Sequence, residues 1–196
     1  MDQNRNPLKI NSKTNSDYFL WERFKNQDKN ALSEIYKSNY AVLFDYGWRI
    51  IKDEDLVRES IQELFYYLIS NLNSLGTTDN IRFYLMASLR RRIFTKLKGD
   101  KQMLVSTNDM SYQFDLEPSI EESMINNEIS EERKIELERN IKKLPSREKE
   151  AIYLKFYKNM NYDEITKIMG INYDSARKLV YRAIKSLREL LDIKIK

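Results

Sequence analysis

Apolar residues recur at intervals of three and four along two stretches of the chain. The clearest pattern lies in the first stretch, about residues 18–97, and starts at the acidic cluster Asp53-Glu54-Asp55. Acidic side chains suit the positive amino-terminal end of a helix, and apolar spacing sustained over four turns predicts a helix here. Its apolar positions are Leu56, Val57, Ile61, Leu64, Phe65, Leu68, Ile69 and Leu72.

A second helix is predicted from about Asn80 to Lys98, where apolar residues follow each other in steps of four. Between the two helices, residues 71–79 are rich in Asn, Ser, Gly and Thr, which predicts a loop. The residues at steps of four are Ile81, Leu85, Leu89, Ile93 and Leu97.

The last stretch carries three signals for the start of a helix. Ser146 precedes a segment with acids in its first turn and is expected to be its N-cap. Asn161 and Glu164 have capping-box spacing at the start of a short helix, and Gly170 suits the left-handed residue that ends it. Asn172 is expected to cap the final helix. The apolar faces predicted here contain Tyr162, Ile165, Ile168 and Met169, then Ala176, Leu179, Val180, Ala183, Leu187 and Leu190.

Few residues in this chain break helices, since 196 residues contain only 4 Gly and 3 Pro. From about residue 99 to 130 the periodicity fades and acids accumulate, which predicts a linker that is partly disordered in isolation. The predicted fold is all-α, with two helical domains joined by a flexible linker and a helix-turn-helix in the second. The predicted boundaries are a disordered tail over 1–16, a first domain over 17–98, an acidic linker over 99–131 and a second domain over 132–196.

Charge is distributed unevenly. The net charge of the whole chain is +4, but residues 98–141 carry −6 and residues 142–196 carry +7. A basic carboxy-terminal block after an acidic segment favours a polyanionic partner for that block.

The composition excludes several kinds of chemistry. The chain has no Cys and no His, which removes disulfides, thiolate metal sites and Ser-His-Asp or Cys-His nucleophiles. Paired carboxylates remain possible acid–base groups, but no pattern singles out a pair. We therefore expect no enzyme activity, no metal and no cofactor. Residues 1–16 have no apolar core and no run of eighteen apolar residues occurs, so a cytoplasmic protein without membrane insertion is expected.

A short helix, a glycine turn and a longer helix are the layout of a helix-turn-helix. The first exposed residues of the longer helix would face base edges in the major groove, and the later basic ones would lie near phosphates. An ordinary helical hairpin with a solvated basic face is the alternative. The residues expected to be exposed are Asp174, Ser175, Arg177, Lys178, Tyr181, Arg182 and Lys185.

Two further surfaces stand out in the first domain. Glu59, Gln62 and Glu63 form one polar face at helical spacing, which is either a solvated face or a docking surface for a basic partner. Residues 82–97 place aromatic side chains beside basic ones. Such a helix can stack on unpaired bases and hold their backbone, unless the aromatic residues belong to the core.

Three strings resemble RNA polymerase sigma factors of the extracytoplasmic-function type. Residues 59–65, Glu-Ser-Ile-Gln-Glu-Leu-Phe, resemble sigma region 2.2, and residues 82–98 resemble regions 2.3 and 2.4. Residues 144–152, Leu-Pro-Ser-Arg-Glu-Lys-Glu-Ala-Ile, are followed by Tyr-Asp-Glu-Ile at 162–165 and by the Gly170 turn, as in region 4. The resemblance covers about residues 31–191. It implies a subunit that binds core polymerase and directs promoter recognition and initiation.

The resemblance also implies roles and partners. Core RNA polymerase would bind through its β′ clamp helices and β flap, and promoter DNA and an anti-sigma factor would be further partners. The position of the polymerase contact corresponds to Glu59, Gln62 and Glu63. The loop that captures a flipped minus-ten base corresponds to residues 71–80, with Asn71, Asn73 and Asn80. The surface for melted DNA contains Arg90, Arg91 and Lys96, and the minus-thirty-five helix contains Ser175, Arg177, Lys178, Tyr181, Arg182 and Lys185.

The chain departs from the family pattern at several positions. The family often has Asn where Arg91 stands and Asp where Thr95 stands, and its recognition helix often differs from residues 174–178. Promoter sequence is therefore not implied. The alternatives are a helix-turn-helix regulator that acts without polymerase, a sigma mimic that only binds an anti-sigma factor, and a helical enzyme.

Overall fold

The computed structural model describes residues 12–98, 112–116 and 131–190. These residues form eight α-helices, one 3₁₀ turn and one π-helical turn, and no strand occurs among them. The helices are α1 (Ser12–Lys25), α2 (Lys29–Ile51), α3 (Glu54–Ser70), α4 (Ile81–Lys98), α5 (Glu131–Lys143), α6 (Ser146–Ile152), α7 (Tyr162–Met169) and α8 (Tyr173–Leu190). The 3₁₀ turn is Leu72–Ser74 and the π-helical turn is Tyr153–Tyr157.

Helices α1 to α4 form one unit, which we call the amino-terminal unit. Asp28 caps α2 by accepting hydrogen bonds from Asn30 and Ala31, and Asp53 caps α3 by accepting one from Leu56. Helix α2 packs against both α3 and α4, and apolar side chains from all three are fully buried between them. These include Leu43, Val57, Ile61, Leu64, Leu68, Leu85, Leu89 and Ile93.

Helices α5 to α8 form the carboxy-terminal unit. The capping box of α7 is complete, because Asn161 accepts from the Glu164 amide at 2.9 Å and Glu164 accepts from the Asn161 amide at 2.9 Å. Gly170 ends α7 with φ 64°, a left-handed conformation that glycine adopts without strain. Asn172 accepts from the Ser175 amide at 2.8 Å. The predicted start and end signals around α7 and α8 are therefore confirmed.

Three local predictions are wrong. Pro145 is the N-cap of α6, while Ser146 is already helical and makes no capping hydrogen bond. Ile69 was placed in the apolar stripe of α3 but is 47% exposed, and Leu190 is 41% exposed although the pattern put it inward. The adjacent Leu68 is fully buried, so Ile69 lies at the edge of the α3 stripe and faces solvent, and Leu190 is the last residue of α8.

The two units lie in contact, and the described part of the predicted linker packs at their junction. Phe114 and Leu116 are buried, and the Asp115 amide donates to the Arg49 carbonyl of α2 at 2.8 Å. The remaining residues of the predicted linker, 99–111 and 117–130, lie outside the described residues, as do residues 1–11 of the predicted tail. The all-helical architecture with a helix-turn-helix in the second module is confirmed, while the exact domain boundaries stay predictions.

Candidate nucleic-acid interface

Helix α8 presents a basic outer face. Its inner side is fixed by Ala176, Val180 and Ala183, which are buried against α6 and α7. On the outer side Tyr181 is 66% exposed and Ser175 is half-buried. The other four residues of α8 that are predicted to contact DNA are exposed, namely Arg177, Lys178, Arg182 and Lys185. The arrangement suits insertion into a major groove.

A small basic pocket lies at the base of this face. It has a volume of about 160 Å³ between the first turn of α6 and helix α8. Its lining includes Arg147, Ser175, Lys178 and Arg182. Arg147 was not among the predicted DNA-binding residues, because it belongs to another helix and its proximity to α8 depends on the tertiary fold.

The predicted polymerase-binding face of α3 is exposed to solvent but is not free of partners. Glu59 and Gln62 are exposed and Glu63 is half-buried. The Lys96 Nζ of α4 lies 2.8 Å from an oxygen of Glu59 and 2.8 Å from an oxygen of Glu63. A cation predicted to bind DNA and two carboxylates predicted to bind polymerase thus form one ion cluster.

Beside this cluster an open cleft of about 330 Å³ lies between α3 and α4. Tyr67 and Tyr84 line it together with Arg91, Arg92 and Lys96. The Arg92 guanidinium lies 4.9 Å from the centre of the Tyr67 ring. Aromatic faces beside guanidinium groups are the combination that binds unpaired bases. The predicted residues Arg91 and Lys96 belong to this cleft, and Tyr67 and Arg92 were missed because their positions depend on how the two helices pack.

The three predicted loop asparagines occupy different environments. The Asn71 amide group donates to the Tyr67 carbonyl at 2.8 Å at the end of α3, and Asn73 is exposed. Asn80 caps α4 by accepting from the Phe83 amide at 3.0 Å. Its amide group also donates to Glu164 of α7 at 2.9 Å, so Asn80 is engaged by the carboxy-terminal unit.

Arg90 differs most from its predicted surroundings. It is 2% exposed and forms a two-pronged ion pair with Glu150 of α6, with Nε at 2.8 Å from one carboxylate oxygen and Nη2 at 3.1 Å from the other. The Tyr46 hydroxyl donates to the same carboxylate at 2.6 Å, and the Tyr112 hydroxyl donates to it as well. In this conformation Arg90 is not accessible to melted DNA. Its contact with melted DNA stays a prediction, and it requires that the two units separate.

The electrostatics of this contact are those of a satisfied buried ion pair. Burial raises the pKa of Glu150, but the charge of Arg90 and three hydrogen-bonding side chains outweigh it and leave that pKa below its ordinary value. Burial likewise lowers the pKa of Arg90, but the Glu150 carboxylate together with Tyr46 and Tyr112 outweighs it and raises that pKa overall. Burial and the adjacent carboxylate raise the pKa of Tyr46 well above its usual range, so this side chain stays a donor.

Other side chains continue the contact between the units. The rings of Tyr46 and Tyr153 stack with centroids 6.0 Å apart, and the Tyr153 hydroxyl donates to Asp45 at 2.7 Å. The Lys167 ammonium lies 5.7 Å from the centre of the Phe83 ring. The contact is therefore a packed interface with polar groups at its centre.

The described part of the chain contains neither a cluster of acidic metal ligands nor a membrane-spanning helix. No group of three or more Asp and Glu side chains is arranged there to hold a metal ion. No helix in residues 12–98 or 131–190 combines the length and the apolar character needed to cross a bilayer.

Residues 134–187 match the family "Sigma-70, region 4". They comprise most of α5, all of α6 and α7 and most of α8, and so include the turn and nearly all of the helix-turn-helix that α7 and α8 form. The carboxy-terminal unit is therefore a sigma-70 region 4 domain, and its basic helix α8 is the second helix of the motif.

The likeness extends beyond that domain. Over 149 residues the chain is 24% identical to the RNA polymerase sigma factor SigV of Bacillus subtilis, covering 76% of this chain and 81% of that protein. It is similar in fold to CnrH, solved in complex with the cytosolic domain of CnrY, with a TM-score of 0.56, 15% identity and coverage of 90% of this chain and 97% of CnrH. It is also similar to the sigma factor RpoE of Bartonella quintana, solved with the anti-sigma factor NepR, with a TM-score of 0.54, 16% identity and coverage of 83% and 98%. The resemblance to sigma factors of the extracytoplasmic-function type seen in the sequence is confirmed, and the chain is a homologue of sigma factors that contains a sigma-70 region 4 domain.

Proposed function

We propose that this sigma factor binds core polymerase through the α3 face and promoter DNA through two separate surfaces. Glu59, Gln62 and Glu63 bind the β′ clamp helices, whose basic side chains replace Lys96 as partners of the two carboxylates. The carboxy-terminal unit also contacts the β flap. The polymerase performs the chemistry and the sigma factor contributes binding energy, which offsets the few kcal/mol that unstacking each base costs.

The two proposed promoter-binding surfaces bind different forms of DNA, one unpaired bases and the other a duplex. The cleft that contains Tyr67, Tyr84 and Arg91, together with the loop around Asn73, binds unpaired minus-ten bases by stacking and phosphate contacts. Helix α8 reads the minus-thirty-five duplex through Ser175, Arg177 and Lys178, while Arg182 and Lys185 contact phosphates. The observation that carries this proposal is the exposed basic face of α8 inside a region 4 domain.

An anti-sigma factor that binds both units is the proposed regulator, and the cytoplasm is the proposed place of action. The solved relatives support this partner, because RpoE was crystallised with an anti-sigma factor. A regulator that acts without polymerase would leave the acidic face of α3 without a role.

Run-off transcription with core polymerase on candidate promoters tests the proposal. Changing Gln62 and Glu63 to Ala weakens core binding, with E54A as the control because Glu54 lies on the same helix outside the proposed face. Changing Arg177 and Lys178 to Ala leaves core binding unchanged, abolishes promoter selection and reduces the salt dependence of promoter binding, because two positive charges are removed from the DNA-facing side of α8. The matched control is R188A, which removes one positive charge from the last turn of α8. Unchanged transcription from a defined promoter in the Arg177 and Lys178 variant refutes the role given to α8.

A further inference from the structure

The buried carboxylate of Glu150 occupies a site built for an anion. Four donor groups from three parts of the chain converge on it, namely two nitrogens of Arg90 and the hydroxyls of Tyr46 and Tyr112. Glu150 itself has no exposed surface. A guanidinium fork with neighbouring hydroxyl donors fits the planar edge of a carboxylate and equally two oxygens of a phosphate.

The side chains around this anion site have the composition of a surface for single-stranded DNA. The Arg90 guanidinium lies 4.3 Å from the centre of the Phe94 ring, and the Tyr46 hydroxyl donates to the same carboxylate oxygen of Glu150 as the Arg90 Nε. One ring that covers Tyr46 belongs to the carboxy-terminal unit, because Tyr153 stacks on it, while Phe114 of the linker packs against it at an angle. Separation of the units therefore exposes an arginine flanked by aromatic rings, which is suited to a phosphate and its neighbouring bases.

A second acidic side chain repeats the pattern. Glu164 of α7 accepts a hydrogen bond from Asn80 at 2.9 Å, and Asn80, like Arg90, has a predicted role in DNA binding. Two glutamates of the carboxy-terminal unit thus contact two groups of the amino-terminal unit that are expected to meet DNA. The carboxylates of Glu150 and Glu164 therefore occupy the two positions where phosphates or base edges of DNA are expected to bind.

The ion pair is suited to exchange. Desolvation of both partners offsets much of the attraction in a buried pair, so such a pair contributes specificity more than net stability. Arg90 and Glu150 are 60 residues apart and belong to different units. Another anion that satisfies the same donors can therefore replace Glu150 when the units separate.

We propose that Arg90, Tyr46 and Tyr112 form an anion site with two alternative ligands, the Glu150 carboxylate in the free chain and a backbone phosphate of unpaired promoter DNA in the initiation complex. Glu150 then competes within the molecule against promoter DNA. The free chain is held in a form that binds DNA weakly, and separation of the units on core polymerase releases the site. This inference deepens the proposed function and depends on it.

The absence of native cysteine makes the test direct, because two introduced cysteines can be labelled specifically. Lys37 of α2 and Arg188 of α8 are exposed positions in the two units, and K37C with R188C reports their separation by energy transfer. We expect E150Q and R90Q both to lower the transfer, since each removes one charge from the buried pair. The matched control E148Q changes a neighbouring buried carboxylate of α6 and leaves the transfer unchanged.

The DNA affinities of the E150Q and R90Q variants show whether the Arg90–Glu150 contact is an anion site or only a structural ion pair. With a single-stranded oligonucleotide of mixed sequence, E150Q binds at least about tenfold more tightly than the wild-type chain, because the competing ligand is gone. R90Q opens the molecule equally but gains no affinity, because the phosphate has lost its guanidinium. An E150Q chain that opens without gaining affinity, or an R90Q chain that gains as much, overturns the proposal.

Two further measurements keep the result interpretable. Y46F removes one donor to Glu150 and leaves the ion pair, so partial opening and a lower energy transfer are expected even where E150Q fails to fold. Its gain in DNA affinity is smaller than that of E150Q, because the phosphate loses the same donor. Unchanged energy transfer in Y46F overturns the proposal in that case. Run-off transcription by the wild-type chain distinguishes a failure of the proposed function from a failure of the anion site. Failure of the wild-type chain to start transcripts refutes the proposed function, whereas wild-type transcripts with unchanged E150Q affinity refute the anion site alone.

Discussion

Lys96 lies between two surfaces that have different predicted partners. Its ammonium contacts carboxylate oxygens of Glu59 and Glu63 at 2.8 Å, while its side chain also lines the aromatic cleft next to them. Burial lowers the pKa of Lys96, but its bonds to the two carboxylates outweigh that effect and raise the pKa overall. The cluster is largely solvated, and pairs of this kind contribute only about 0.2–1 kcal/mol to stability. Under the proposed function, a docking polymerase displaces Lys96 from the two carboxylates, so Lys96 competes with the polymerase for them.

Replacing Lys96 by Gln tests this competition. We expect K96Q to bind core polymerase up to about fivefold more tightly, because the two carboxylates lose their internal partner. The free energy of unfolding should change by less than about 1 kcal/mol. Fluorescence titration with core polymerase and urea denaturation measure the two quantities. R58Q is the control, since Arg58 pairs with Glu54 on the same helix but contacts neither Glu59 nor Glu63. Weaker core binding by K96Q contradicts the competition.

At the scale of elements, the close approach of α2 to α3 and α4 depends on Gly47. A Cβ atom at this position would lie 2.9 Å from Cγ1 of Val57 and 3.4 Å from Cδ1 of Ile93. Val57 is fully buried and its branched side chain has little freedom to move away. The absence of a side chain at Gly47 therefore sets the distance between these helices, and with it the position of the α3 face and the α4 cleft.

The substitution G47A measures this constraint. Overpacking lowers the free energy of unfolding by about 1–3 kcal/mol, while the higher helix propensity of Ala raises it by about 1 kcal/mol. We therefore expect G47A to lower the free energy of unfolding by about 1 kcal/mol in urea denaturation. The control is G76A, because nothing lies within 4 Å of the Cβ position there and a change below about 0.5 kcal/mol is expected. A G47A chain as stable as wild type shows that the helices can move apart without loss.

Sequence patterns predicted those elements whose signals are local. The helix start at the acidic cluster of Asp53, the Asn161–Glu164 capping box and the Gly170 turn depend on residues a few positions apart, and all three are confirmed. The buried stripe of α8 followed from its period for the same reason, except in the last turn at Leu190. Ser146 was wrong because Pro145 can occupy the N-cap position without a side-chain hydrogen bond, which leaves Ser146 inside the first turn.

At the scale of the whole molecule, the contact between the units could not be predicted. Arg90 belongs to a run of three arginines that the sequence describes as one basic surface, yet Arg91 is exposed and Arg90 is buried. The direction of each side chain is decided by the neighbouring helix, and for Arg90 that neighbour is α6, which lies 60 residues further along the chain. A single sequence carries no signal for a pairing at that distance. The candidate site residues were thus predicted as a set of surfaces, and the connections among them come only from the fold.

The contact between the units is expected to weaken in acid. The pKa of Glu150 is below its ordinary value, so the joined form favours the carboxylate over the protonated acid. The contribution of the ion pair is complete above the ordinary carboxyl range near pH 4.3. It is lost as the pH falls through the lowered pKa of Glu150. Energy transfer between labels at K37C and R188C should fall in that range while the helical circular dichroism signal is retained.

The E150Q chain is the control for this titration. Its transfer is expected to be low at neutral pH and to show no corresponding transition. A wild-type chain whose transfer stays constant until its helices unfold contradicts the role of Glu150 in holding the units together.

The junction between the units also limits which DNA the chain can engage. The minus-ten and minus-thirty-five elements are about 25 base pairs apart, which corresponds to about 85 Å at about 3.4 Å per base pair. A compact chain of this length has a radius of gyration of only about 16 Å. Under the proposed function, the molecule can reach only one element at a time while its two units are in contact. It can contact both elements only after Glu150 has separated from Arg90. Breaking that ion pair is therefore an obligatory step in each initiation event, and promoters with different spacers are distinguished only after it.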